Sequence, residues 1–169
     1  LGMGDCLQLA RYVPLLERRG AEVWVQAPKV LQALFRRSLP RAHVIAPEEC
    51  PAGLDMRLLF FSLPLAMGTS CESAIPRDCP YLVADPRRAQ HWRRGLGSSA
   101  GPKVGVLWRA GCGGSERSAQ VADLAPLFAV RDVRFVNLQP GLSPDEAKYL
   151  ESQPNVLALD SELGDFDET

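Results

Sequence analysis

Stretches with the apolar period of a helix alternate along this chain with short β-branched runs, and glycine or proline marks most of the boundaries. Such alternation is the signature of the α/β class, in which strands pair side by side and helices cover the sheet. The spacing predicts an opening helix over about 5–19, with Leu9, Tyr12, Val13 and Leu16 on one stripe and Gly20 as its stop. "AEVWVQA" follows as a strand, "PKVLQALFRRSL" as a helix opened by Pro28, and "AHVIA" as a short strand. "DMRLLFF" reads as a buried strand, "SLPLAMGTSCESAIP" as a long loop with at most a helical turn, "YLVAD" as another strand and "PRRAQHWRRGL" as a helix on Pro86.

"GLGSSAGP" at 95–102 is small, polar and rich in glycine, the composition of a linker. Beyond it the alternation restarts: "KVGVLWRA", "VRFVNLQ" and "NVLAL" as strands, "QVADLAPLFAV" as a helix, and "SPDEAKYLESQ" as a helix capped by Ser143. The charge balance changes in the same region, from 14 Lys+Arg against 9 Asp+Glu over 1–103 to 5 against 11 over 104–169. Two α/β units are therefore expected, one on each side of this linker. A glycine-rich turn entering a helix is ordinarily fed by a strand, and none precedes "GMGDCL"; only about three strands follow the linker. With Leu1 in place of an initiator methionine, the expectation is a fragment whose first unit lacks its first strand.

Composition narrows function mainly by exclusion. The chain is 46% hydrophobic and 23% charged, as in ordinary globular proteins, and the basic residues fall in scattered pairs without interleaved aromatics, which argues against nucleic-acid binding. Five cysteines include no C-x-x-C pair and accompany only two histidines, so no metal-ligand spacing is present and a reducing, cytoplasmic setting is expected. No apolar run has the ~18 residues of a membrane span, and no transmembrane segment is expected.

"GMGDCL" matches half of a dinucleotide fingerprint, but Leu7 stands where the third glycine would allow close helix packing, and the second strand ends in Gln26 rather than an acid. A nicotinamide or flavin site is not expected. Asp5 admits two roles that can coexist: a helix cap, or a general base carried on a turn where Gly2 and Gly4 let substrate approach. Cys6 sits where a helix N-terminus could activate a thiol, though without a basic partner it reads as a small buried residue. "LWRAGCGGSERS" follows a strand and lacks the Walker lysine; Arg109 and Arg117 could clamp a diphosphate there, or stand as exposed loop arginines. Trp92 reads as the apolar anchor of its helix and His91 as an exposed neighbour, neither supporting a site.

Taken in order, "GMGDCLQLARYVPLLERRGAEVWV", "FFSLPLAMGTS", "IPRDCPYLVADP", "VGVLW", the "ERS" before "LAPL", "VRFVNLQPG" and "LGDFDET" resemble the successive landmarks of bacterial heptosyltransferase-like glycosyltransferases, in particular those at the C-terminus of tetratricopeptide-repeat proteins. The resemblance is collinear over nearly the whole chain. It implies two Rossmann-like halves, residues 1–96 on the acceptor side and 101–169 opening the nucleotide-sugar side. It also implies inverting, metal-independent sugar transfer with Asp5 as catalytic base, Arg117 and Ser118 as donor-phosphate contacts, and no cofactor beyond the nucleotide-sugar donor; Gly2, Gly4 and Arg109 stand beside them as substrate-binding candidates on the reading of the residues themselves. The partners implied are that donor, a glycan or protein acceptor, and tetratricopeptide repeats upstream in the parent chain. Arg109 and "AGCGG" depart from the small polar residue and Asn-rich loop common in the family. The alternative reading is a catalytically inactive sugar- or protein-recognition module on the same scaffold; a nucleotide-dependent enzyme of another class is a further rival.

Overall fold

The computed structural model describes residues 2–97, 101–110 and 118–159. The chain divides into two compact units, 1–89 and 90–169. Both are mixed α/β with parallel strands. The dividing point falls inside a helix, Pro86–Gly95, and residues 98–100 of the glycine-rich linker lie outside the described residues.

In the first unit, α1 (Met3–Leu9) and α2 (Val13–Arg18) are joined by a 3₁₀ turn, Ala10–Tyr12. The apolar stripe is as expected, with Leu9, Tyr12 and Val13 buried, but the helix is not continuous. Pro14 is the cause: it has no N–H for the Ala10 carbonyl, and that carbonyl takes the Val13 N–H in a tighter i→i+3 bond instead. Gly20, at φ +88°, ends α2; its N–H donates to Glu17 O at 3.0 Å and that of Ala21 to Leu16 O at 3.2 Å, the paired closure of a Schellman motif. β1 (Trp24–Gln26) then pairs in parallel with β2 (His43–Ile45) across α3 (Lys29–Ser38). Leu31, Leu34 and Phe35 of α3 meet Val25 of β1, Ala27 just beyond it, and Cys6, Ala10 and Val13 in one buried cluster.

Two expected strands do not form. Residues 55–59 are irregular and exposed, followed by a 3₁₀ turn at Phe60–Ser62 and α4 (Leu63–Ala66), with a further turn at Glu72–Ala74. The stretch 81–85 is also without a ladder, because helix side chains take its backbone groups: Ser38 Oγ accepts from Val83 N at 2.9 Å and Arg37 Nε donates to Val83 O at 2.7 Å. Asp85 ends it and starts α5 (Pro86–Gly95), its Oδ1 accepting from Arg87 N and Arg88 N at 2.7 and 3.2 Å. The Arg88 amide first and the Arg87 amide next hold its carboxyl below the ordinary range.

The second unit has a three-stranded parallel sheet in the order β3 (Lys103–Val106), β4 (Arg134–Asn137), β5 (Val156–Leu157). The helix expected over 120–130 is split into a 3₁₀ turn, Val121–Leu124, and α6 (Ala125–Phe128); Pro126 leaves the Ala122 carbonyl to the Ala125 N–H, as Pro14 does earlier. α7 (Pro144–Glu151) starts as expected on Ser143, whose Oγ accepts from Glu146 N at 3.3 Å. Phe128 and Phe135 meet edge to face at 5.4 Å beside Val106, Trp108 and Leu150.

Two glycines separate backbone need from backbone tolerance. Gly4 lies inside α1, and a Cβ added there would meet nothing within 4 Å, whereas a Cβ on Gly101 would run into the Asp132 backbone carbonyl. Gly4→Ala is expected to stabilise the first unit by roughly 0.5–1 kcal/mol. Gly101→Ala is expected to cost the second about 1–3 kcal/mol. Native-state hydrogen exchange, which resolves the two units separately, checks both signs.

Candidate functional site

The residues expected to carry chemistry fall in two places, one in each unit. At the start of the chain the glycine turn is absorbed into helix: Gly2 is the N-cap at φ −68° and Gly4 the second helical residue, so neither occupies a left-handed backbone conformation. Asp5 is the third helical residue rather than the N-cap. Its Oδ2 reaches back to accept the Gly2 N–H at 3.1 Å, which satisfies an orphan donor at the positive end of the helix. A side chain on Gly2 would meet that oxygen at 2.9 Å, so the small residue leaves room for the closure. Oδ1 has no protein hydrogen-bond partner among the described residues. Cys6 is buried, and burial pushes its thiol pKa up, the reverse of an activated nucleophile.

The second place is built at the carboxyl ends of β3 and β4, the end at which open parallel sheets present ligand sites. Past β3 the chain carries Trp108 and Arg109; past β4 it turns through Gln139 and Gly141 into α7. Gln139 is buried, and its Oε1 accepts from Arg109 N at 2.8 Å and from Trp108 N at 3.4 Å, tying the two strand ends together. Fully buried Asn137 fixes the turn in its own chain: its Oδ1 accepts from Gln139 N at 2.9 Å and its Nδ2 donates to Gln139 O at 3.2 Å. The ends of the glycine-rich loop are closed across the same point, with Ala110 N donating to Ser118 Oγ at 3.1 Å and Ala119 N to Trp108 O at 2.9 Å. Ser118 is thus placed at the loop's neck; Arg117, the other half of the expected clamp, lies outside the described residues.

Arg109 is already engaged. Its Nη2 donates to Gly141 O at 2.8 Å, and its Nε lies 3.3 Å from Glu146 Oε1, an ion pair without hydrogen-bond alignment. Glu146 closes a capping box through Oε2, which accepts from Ser143 N at 2.9 Å, and accepts from Trp108 Nε1 through Oε1 at 3.1 Å. Burial works to raise the Glu146 pKa, but the Ser143 N–H, the Trp108 indole N–H, the Ser143 side chain and the Arg109 charge outweigh it and hold the carboxyl below the ordinary range. Trp108, Asn137, Gln139 and Glu146 were not among the residues expected at a site. The signal for Glu146 is the Ser143-x-x-Glu146 spacing of a capping box; Asn137 and Gln139 carry no comparable signal in the sequence.

Among the described residues, no group of three or more His, Cys, Asp and Glu is arranged to hold a metal ion, and no helix is long and apolar enough to cross a membrane. The chain is similar to Protein FlbA of Caulobacter vibrioides (strain ATCC 19089 / CIP 103742 / CB 15), 28% identical over 192 residues, covering 97% of this chain and 32% of FlbA. The chain therefore spans about a third of the length of that curated relative. No family model matches it, and no solved structure matches it.

A carboxyl with a depressed folded-state pKa lends stability above its unfolded value, about 4.3, that is lost as pH falls through the folded value. The second unit is accordingly expected to lose stability on acidification below about pH 4.3, and Glu146→Gln to flatten that part of the profile. Urea denaturation from pH 7 down to about pH 3 measures both slopes; equal slopes in the variant would show that Glu146 contributes nothing to the acid limb.

Proposed function

We propose that this chain is part of a metal-independent, inverting glycosyltransferase of the heptosyltransferase-like type, with each unit a Rossmann-like half. The observation that carries the reading is the placement of Arg109 and the neck of the "RAGCGGSERS" loop at the carboxyl ends of two parallel strands, where open α/β sheets bind nucleotides. The collinear sequence landmarks, and parallel strands in both units, support it. A cytoplasmic location and tetratricopeptide repeats elsewhere in the parent protein belong to the same proposal.

The chemistry assigned is a single displacement. Asp5 Oδ1 takes the proton of the acceptor hydroxyl, the resulting oxygen attacks the anomeric carbon, and the bond from that carbon to the diphosphate breaks with inversion. The electron pair leaves on the nucleoside diphosphate, whose charge is met by Arg117, Ser118 and Arg109 and by backbone amides rather than by a divalent ion. A recognition module without catalysis is favoured by one observation: Arg109 is held by Glu146 and Gly141 rather than standing open. Calorimetric titration of the complete protein with uridine, guanosine, adenosine and cytidine diphosphates separates the two, since a transferase binds one of them and a recognition module none.

Two substitutions in the complete protein test the assigned roles. Arg117→Ala is expected to weaken nucleoside-diphosphate binding by roughly 1.5–3 kcal/mol with acceptor affinity unchanged; equal binding removes Arg117 from the donor site. Asp5→Asn keeps an acceptor for the Gly2 N–H but cannot take a proton, so turnover is expected to fall by about 10²–10⁴ with the melting temperature little changed. Turnover within a few-fold of wild type would leave Asp5 with its capping role alone.

A further inference from the structure

Where the β3–β4 ladder ends, two consecutive amides turn to one side-chain atom. Leu138 N still donates to Val106 O at 2.9 Å, but the Trp108 and Arg109 N–H groups go to Gln139 Oε1, at 3.4 and 2.8 Å. Successive N–H groups meet one oxygen only over a narrow range of backbone dihedrals, so this acceptor sets the direction in which the chain leaves β3.

The acceptor itself has little freedom. Gln139 is buried, its Nε2 donates to Pro140 O at 3.3 Å, and its backbone N–H and C=O are taken by the Asn137 amide at 2.9 and 3.2 Å. The stretch it holds carries the groups assigned to the nucleotide. Arg109 sends its guanidinium to Gly141 O, Ala110 N donates to Ser118 Oγ, and Trp108 O accepts from Ala119 N. Both bonds that close the loop neck are thus made to residues 108 and 110, on either side of the Arg109 amide. No step of the assigned chemistry uses Gln139.

We propose, resting on the glycosyltransferase reading above, that Gln139 is a positioning residue for the nucleoside diphosphate. Without touching the donor it directs the backbone of residues 108–110, and through it the Arg109 side chain and the loop neck. A role in cohesion alone would appear only in stability. Positioning appears in the affinity of the folded protein, because binding groups displaced by about 1 Å lose as much as about a hundredfold.

The test compares three variants of the complete protein. Gln139→Met keeps the side-chain length and removes the acceptor; Gln139→Glu keeps an oxygen for both amides; Phe128→Leu trims the Phe128–Phe135 contact in the same unit's core. Each is followed by amide hydrogen exchange and by calorimetric titration with the nucleoside diphosphate that the wild type binds. Gln139→Met is expected to speed exchange at Ala110 and Ala119 by about tenfold or more and to weaken diphosphate binding by about ten- to a hundredfold. Gln139→Glu is expected to keep both amides protected, and Phe128→Leu to lower the denaturation midpoint with neck exchange and affinity unchanged. Unchanged neck exchange or affinity in Gln139→Met, an equal loss of affinity in Phe128→Leu, or an unprotected neck in Gln139→Glu overturns the role of Gln139 alone. A wild type that binds no nucleoside diphosphate overturns the glycosyltransferase reading, and this role with it.

Discussion

One buried side chain holds the carboxyl ends of the second unit's first two strands together. The Gln139 carbonyl oxygen accepts the backbone N–H groups of Trp108 and Arg109, joining the chain beyond β3 to the chain beyond β4 where the ladder has ended. Without that oxygen the Trp108 and Arg109 amides would lose their partner at the strand end, at a cost of about 1–3 kcal/mol for a buried group. Asn137 in turn holds Gln139 through two bonds to its backbone. The Trp108–Arg109 backbone is thereby fixed to the β4 end, while Ser118 is held by Ala110 N and the Glu146 carboxylate by Ser143 N and Trp108 Nε1.

How far the fold was readable depended on whether local or distant groups decide each element. Helix ends were readable because their determinants are local: Gly20 in a left-handed conformation and Ser143 with Glu146 three residues on. The prolines were equally local, but periodicity masked them. Pro14 and Pro126 sit on faces that do not disturb the apolar stripe, so the pattern ran through, while the missing N–H divided each helix in the same way. The failed strands were decided elsewhere. "YLVAD" has strand composition, yet Arg37 and Ser38 of α3 claim the Val83 backbone. "DMRLLFF" has strand composition too, and a strand needs a neighbour, which local sequence does not reveal.

The candidate site shows the same division. Asp5 was legible as a helix-start carboxylate, but not its place as the third residue of α1 with Gly2 as the cap, since several residues near a helix start satisfy the same rule. Arg109 was legible as a cation after a strand; its partners were not, because Gly141 and Glu146 come from a turn and a helix more than thirty residues on. Buried amides are the least readable class. Asn137 and Gln139 look like surface residues in composition, and only the closure of the β3–β4 ladder shows that they are interior.

The engagement of Arg109 bears on how this end of the sheet can receive an anion. The Arg109 side chain is 37% exposed and that of Glu146 17%, so the pair stands between the exposed regime, about 0–1 kcal/mol, and the buried one, where removing a partner costs more. Glu146 does not rely on it, because Ser143 N and Trp108 Nε1 already donate to the carboxylate. An anion approaching the guanidinium would compete with the Gly141 carbonyl for Nη2, since Nε is buried beside Glu146. Glu146 keeps two donors with or without Arg109, so the carboxylate's place does not depend on the guanidinium, whereas the guanidinium's orientation depends on Glu146 and on the Gly141 carbonyl.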